Sequence, residues 1–333
     1  MNSLSEIAKA MTTVRNALIC GHTKPDGDSL GSAFALALAL KRLGKSVTVA
    51  GPDPVPGIYS FLPGVESYFA GDPPAGSFDT LITVDCPVAF RLGREYQDLP
   101  SKDLTVINID HHTSQAPFGT YRYTDTSAAA VGEIIYDLLQ LMQIDLDVDM
   151  AVCLYTAIVT DSGSFQYENT TADTHRRMAG LLETGAPLHR INTLIYDEKD
   201  YAAQLLLREA LKSLNMSSDG KIAWMVITRE MVRNVGAKDE HTEGIVNFSR
   251  SIRGVRLGML FNELADGKVK LSIRTKGAVN ANHIANRFGG GGHLRAAGCE
   301  ITGSINSVVD MVLKSLLASV LDEEEQNKPQ PKN

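Results

Sequence analysis

Four places in the sequence set carboxylates and imidazoles at the end of an apolar run. "HTKPDGD" (22–28) supplies His22, Asp26 and Asp28, and "TLITVD" ends on Asp85. "TVINIDHH" ends on Asp110, His111 and His112, and "AVCLYTAIVTD" ends on Asp161. Each such group is costly to desolvate alone. A single Asp there is often only a turn former or a helix cap, and Asp28 ahead of "SLGSAF" has that ordinary explanation. Four coincidences point instead to a shared ion site. Asp and His without a thiolate suit Mn²⁺, Mg²⁺ or a similar octahedral ion better than structural zinc. About six ligands exceed the needs of one ion with open positions. They suit two ions about 3.5–4 Å apart that share a carboxylate. Asp85, alone on its strand, is the natural bridge.

Placing these groups together needs a scaffold, and the first half of the chain reads as one. "NALICG", "SVTVAG", "DTLITVD" and "LTVINID" are near-continuous apolar strands, as in a parallel sheet buried on both faces. Between and after them lie helices at 29–44, in "TDTSAAAVGEIIYDLLQLM" with Thr126 or Ser127 as N-cap, and in "DVDMAVCLYTAIVTD". The pattern predicts an open, mostly parallel α/β fold with its ligands beyond the carboxyl ends of the strands. A charged helical connector follows at 187–215. A smaller α/β domain then spans 216–322, with strands "KIAWMVIT", "VRLGMLFNEL" and "KVKLSIRTK" and helices near 278–288 and 305–321. The boundaries are thus 1–186, 187–215 and 216–322, with a polar tail, 323–333, expected to be disordered.

Composition narrows the partners. A net charge of −7 over 333 residues leaves no basic stripe, which argues against coating long duplex nucleic acid. A polyanionic substrate must be short and held at a metal-lined site. Cys20, Cys86, Cys153 and Cys299 lie far apart without a CxxC pair, as expected of reduced thiols in the cytoplasm. The N-terminus lacks the layout of a signal peptide, and the longest apolar run is too short to span a bilayer.

In order and spacing, "HTKPDGDSLGS", "TVDCP", "IDHH" and "VTDSGSF" resemble the four motifs of the DHH phosphoesterase superfamily, over essentially the whole chain. Carried over by position, the resemblance implies one metal on His22, Asp26 and Asp85. It implies a second on Asp28, Asp85, His111 and Asp161. The ions would be two Mn²⁺, with Mg²⁺ or Co²⁺ as substitutes, activating a hydroxide for in-line attack on phosphorus. Asp110 becomes a group that orients a histidine, and His112 one that faces phosphate.

"NRFGGGGHLRAAGCEI" (286–301) places Gly290, Gly291 and Gly292 before His293 and Arg295. A glycine run is often just a loose surface loop. Here it lies between a helix and a strand, and glycine lets backbone N–H groups approach an anion. The run resembles the GGGH motif of the DHHA1 domain, which grips substrate, with Arg274 of "LSIRTK" as a two-pronged phosphate holder. A compact chain with both domains most resembles the nanoRNases of the superfamily. These degrade RNA of a few nucleotides and often dephosphorylate adenosine 3′,5′-bisphosphate (pAp). Two alternatives stand beside this: a phosphodiesterase for linear or cyclic dinucleotides (pApA, cyclic-di-AMP), and a nucleotide-binding regulator with a vestigial site. A homodimer stays open. His175, His189 and His241 read as surface or cap residues, Glu243 and Asn247 as a polar surface on one helix face, and Trp224 as core; His283 sits on a helix from which it could approach a substrate, though a surface role is the stronger reading. Phe165 and Tyr167 read equally as base-stacking or core-sealing.

Overall fold

The computed structural model describes residues 1–114, 116–292 and 294–326, the last ten as backbone only. The chain divides into two compact units, Met1–Glu198 and a second from Lys199 onward.

The first unit carries β1 (Asn16–Cys20), β2 (Ser46–Gly51), β3 (Phe69–Ala70), β4 (Thr80–Val84), β5 (Thr105–Asp110) and β6 (Tyr121–Thr124). All pairings are parallel, in the order β3-β2-β1-β4-β5-β6. Every residue of β4 is buried, which is why its sequence carries no charge and, apart from Thr80 and Thr83, no polar side chain. The chain leaves β1 toward β2 on one flank and returns to β4 on the other. That reversal of order opens a crevice beyond the ends of β1 and β4. The helices are α1 (Leu4–Thr13), α2 (Gly27–Arg42), α3 (Val131–Leu141), α4 (Val148–Asp161), α5 (Ala172–Glu183) and α6 (Leu188–Asn192).

The start of α2 meets the end of α4 because glycine removes the side chains between them. A Cβ on Gly27 would stand 2.4 Å from Thr160 Oγ1, and one on Gly31 would stand 2.4 Å from the Cys153 carbonyl oxygen. Asp28 and Asp161, on these two helix ends, are thereby drawn together. Gly31→Val must push against backbone, which cannot swing aside as a side chain can. It is expected to destabilise the protein by roughly 1–3 kcal/mol or more. Thermal denaturation of the full chain measures this, and an unchanged midpoint would contradict the packing.

One helix start differs from expectation. The first turn of α3 is not capped by Thr126 or Ser127; the helix begins at Val131, and its N-cap, Ala130, has no side chain to offer. The orphaned N–H groups of Val131 and Gly132 are taken by Asp28 of α2, a partner about a hundred residues away.

The second unit holds β7 (Asn215–Met216), β8 (Ile222–Ile227), β9 (Leu257–Glu263), β10 (Lys268–Thr275), β11 (Gly291–Gly292) and β12 (Ala296–Thr302). They form one sheet in the order β11-β12-β10-β9-β8-β7, antiparallel except for β8 with β9. With them go α7 (Tyr201–Lys212), α8 (Arg229–Asn234), α9 (Val246–Ser251), α10 (Ala281–Asn286) and α11 (Ile305–Gln326). Along β10, Val269, Leu271 and Ile273 enter the core while Lys270, Ser272 and Arg274 take the other face. Trp224 packs partly buried against that core. The division between units falls inside the stretch read as a connector, between α6 and α7. Residues 323–326, read as tail, belong to α11; 327–333 lie outside the described residues. Among the described residues, no helix is long and apolar enough to cross a membrane, and all four cysteines are buried free thiols.

Candidate metal centre

The crevice at the reversal of strand order is lined by the groups singled out in the sequence. Among the described residues, three sets of ligand atoms come within 4.8 Å of one another: His22, Asp26 and Asp85; Asp28, His111 and Asp161; and Asp85, His111 and His112. His22 Nε2 stands 3.3 Å from Asp85 Oδ2 and 3.6 Å from Asp26 Oδ2. His111 Nε2 stands 3.4 Å from Asp161 Oδ2, 3.6 Å from Asp85 Oδ1 and 3.8 Å from Asp28 Oδ2. Asp85 faces both histidines and lies between the two sets.

Local structure explains how each group is held. Asp26, not Asp28, caps α2: its Oδ1 accepts from the N–H groups of Asp28 and Ser29, leaving Oδ2 toward His22. Asp85 follows β4 with φ +55, a left-handed conformation that costs a non-glycine residue of order 1 kcal/mol or more. Its N–H donates to the Ile109 carbonyl, and the next residue is pinned where Asn108 Nδ2 donates to Cys86 O at 2.9 Å. Asp110 Oδ1 accepts from the N–H groups of His111 and His112 and sits 2.8 Å from His112 Nδ1. Asp110 therefore orients His112. Beyond Asp161 the chain turns through three successive left-handed residues, Gly163, Ser164 and Phe165. Phe165 packs on the first core and against the His175 ring, 5.2 Å away.

The residues fit a divalent cation on three counts. His22 Nδ1 lies 2.7 Å from the Thr23 carbonyl and His111 Nδ1 lies 3.1 Å from the Ala128 carbonyl. A carbonyl only accepts, so each Nδ1 carries the proton and each Nε2 turns toward carboxylates, the arrangement of a metal-ligating imidazole. Second, Asp85 Oδ1 is buried, and no hydrogen bond reaches it among the described residues. Third, the charges are unbalanced without a cation. Burial opposes charge on both imidazoles, yet Asp26 and Asp85 raise His22 well above the ordinary histidine value. His111, likewise buried, is pushed up to about 9 by Asp161, Asp28 and Asp85. Burial, opposed by His111 but joined by Asp26 and Asp85, pushes Asp161 up to about 7; burial and then Asp85 raise Asp28 well above the carboxylate range. Asp85 goes the other way: burial pushes it up, but its hydrogen bond and charge pairing with His22 prevail. The cluster gathers positive charge wherever it can.

In the second unit, Gly291 and Gly292 pair with Gly298 and Ala297 as a strand, so the glycine run is not a loose loop. A Cβ on Gly290 would lie 2.2 Å from the Gly298 carbonyl oxygen, which requires glycine there. His293 lies outside the described residues. Arg295 is tied to the Gly277 and Val279 carbonyls. Arg274, across from Gly258 and Ala296, bonds the Ile273 carbonyl at 3.0 Å through one terminal nitrogen. Its Nε is buried with no acceptor among the described residues, a donor suited to an anion. His241 pairs with Asp200 at 3.1 Å, and His283 is exposed on α10.

Reasoning from the sequence passed over Asn108, Glu133 and Asn169. Asn108 carries a signal, an amide in the run "VINI"; Glu133 reads as an ordinary acid in the first turn of a helix, and Asn169 carries no signal because the fold alone brings it to its partners, the Ala129 and Asp161 carbonyls.

Over residues 16–158 the chain matches the DHH family, N-terminal domain, and over 219–320 the DHHA1 domain. The bifunctional oligoribonuclease and PAP phosphatase NrnA of Thermus thermophilus is 32% identical over 318 residues, covering 93% of this chain and 92% of the relative. The protein of the same name in Bacillus subtilis is 26% identical over 302 residues, covering 89% and 93%. The crystal structure of an exopolyphosphatase-related protein from Bacteroides fragilis shares the fold, with a TM-score of 0.87 at 24% identity, covering 94% of this chain and 95% of that one.

Proposed function

The chain belongs to the DHH family and carries a DHHA1 domain, and from that premise we propose that it is a manganese-dependent phosphoesterase of the cytoplasm. It hydrolyses RNA of a few nucleotides to mononucleotides and converts pAp to AMP. The observation that carries this reading is the convergence of His22, Asp26, Asp28, Asp85, His111 and Asp161 on one crevice. The names of the relatives supply the substrate class.

His22, Asp26 and Asp85 would hold one ion, and Asp28, Asp85, His111 and Asp161 the other. Bound divalent ions supply positive charge to phosphoryl oxygens and lower the pKa of water to near neutrality. The remaining work belongs to the chain. Asp110 fixes His112 through Nδ1, so contact with phosphate, or delivery of a proton to the leaving sugar oxygen, falls to Nε2. Within the second unit, Arg274 carries a buried Nε suited to a phosphate, and the glycine-lined strand beside β12, His293 and Arg295 are the other residues assigned to substrate. The acidic chain limits that grip to a few phosphates.

The test compares rates with Mn²⁺ on RNA of two, five and twenty nucleotides, on pAp, and on pApA and cyclic-di-AMP. The expected order puts dinucleotide, pentanucleotide and pAp well ahead of the 20-mer. A clear preference for the cyclic compound would replace the substrate assignment, and no hydrolysis of any of them with Mn²⁺ would end the enzymatic one.

A further inference from the structure

The backbone of residues 128–132 reaches into the acidic crevice without contributing a side chain to it. The Ala128 carbonyl fixes His111 Nδ1 at 3.1 Å. The N–H groups of Val131 and Gly132 donate to Asp28 Oδ2 and Oδ1 at 2.6 and 2.9 Å. The placement of two groups in one half of the cluster therefore depends on where this short segment lies.

Two side chains hold the segment at Ala129. Its N–H donates to Glu133 Oε2 at 3.3 Å, and its carbonyl accepts from Asn169 Nδ2 at 3.1 Å. The same amide nitrogen reaches the Asp161 carbonyl at 3.3 Å. Both partners are carbonyls, so the amide must present its NH₂ to them. Asn169 thus ties the segment to the third element that carries a group of this half. Glu133 is only 2% exposed, and its Oε1 has no hydrogen bond among the described residues. Arg177 compensates from one side, with a terminal nitrogen 3.2 Å from Glu133 Oε2 and its Nε 3.0 Å from Asp137. A carboxylate this deep is a poor device for stability alone. Nor does α3 need it as a cap for its first two N–H groups, which Asp28 already takes.

We propose that Glu133 and Asn169 are positioning residues that fix the 128–132 backbone, and through it Asp28 and His111. They thereby set the affinity of the ion assigned to Asp28, His111 and Asp161. The inference rests on the two-ion reading above. The groups of the other half that do not bridge are held elsewhere, His22 by the Thr23 carbonyl and Asp26 by the first turn of α2, so loss of Glu133 or Asn169 acts on one ion selectively.

The full chain, stripped of metal, is titrated with Mn²⁺ in a calorimeter as wild type, Asn169→Ala, Glu133→Ala and Glu133→Gln. Arg176→Ala serves as a control, since Arg176 is exposed and pairs only with Asp173 among the described residues. The wild type is expected to show two binding steps. Each alanine variant should weaken one step by about 10–100-fold and leave the other near wild type. Glu133→Gln, which still accepts from Ala129, should fall between. Variants that melt earlier yet bind both ions as the wild type does, or that weaken both steps equally, overturn the inference. A wild type that binds no Mn²⁺ overturns the two-ion reading itself. If Glu133→Ala does not fold, Asn169→Ala, at a half-buried position, decides the matter.

Discussion

Asp85→Asn should lower the rate on both short RNA and pAp by about 10³-fold, the loss of about 4 kcal/mol of transition-state stabilisation. It should also retain at most one Mn²⁺ per chain. Asp85 belongs to both ligand sets that lack Asp28, and it faces His22 on one side and His111 on the other. Asparagine tolerates the left-handed φ of +55 and keeps the volume of the side chain, so the backbone turn after β4 survives the change. Any loss is then chemical rather than a failure to fold, which circular dichroism and the melting midpoint would verify. An Asp85→Asn protein within tenfold of wild type at saturating Mn²⁺ would show that this carboxylate is not shared.

How this site was legible in sequence follows from the fold's geometry. A parallel sheet buried on both faces has apolar strands, and the first polar residue after each marks the edge where ligands bind. Asp85 after "TLITV" and Asp110 after "TVINI" stand out for that reason, and β4 and β5 lie side by side in register. The pairing of β1 with β4, which brings His22 beside Asp85, is a long-range choice that no local pattern encodes. The start of α3 departs from the local pattern on the same ground. Thr126 and Ser127 are good cap residues by type, but Asp28 reaches the helix start from α2 and moves it to Val131. Glu133 shows the limit most clearly. In sequence it is an acidic residue in the first turn of a helix, ordinary for its favourable interaction with the dipole. Only the fold shows that it is buried and bonded to the Ala129 N–H. Short two-residue strands such as β3 and β11 escape detection because two residues carry no periodicity.

Metal removal should have two consequences at once: activity on RNA and pAp falls to background, and the protein melts earlier by an amount that grows with pH. Each ion present at a hundred times its dissociation constant stabilises the native state by about 2.7 kcal/mol. For a domain of this size that is roughly 5–10 °C per ion. The pH dependence comes from the protons that replace the ions. In the metal-free native state His22 and His111 sit above the ordinary histidine value, His111 at about 9, and Asp161 sits at about 7. Between about pH 4 and 9 these groups bind more protons folded than unfolded, so stability must fall as pH rises through that window. The contribution of His111 is fully present below about pH 6.5 and is lost as pH passes 9; that of Asp161 is lost between about pH 4 and 7. Asp85, held below the usual range, acts oppositely but only at acid pH. The loaded protein behaves in reverse, since Mn²⁺ requires its ligands deprotonated and binds more tightly as protons leave. Differential scanning calorimetry with and without chelator at pH 6, 7 and 8 should therefore give a gap in melting temperature that widens with pH. A gap that is constant, or that narrows, would mean that the protons held by this cluster and the divalent ions do not compete for the same place.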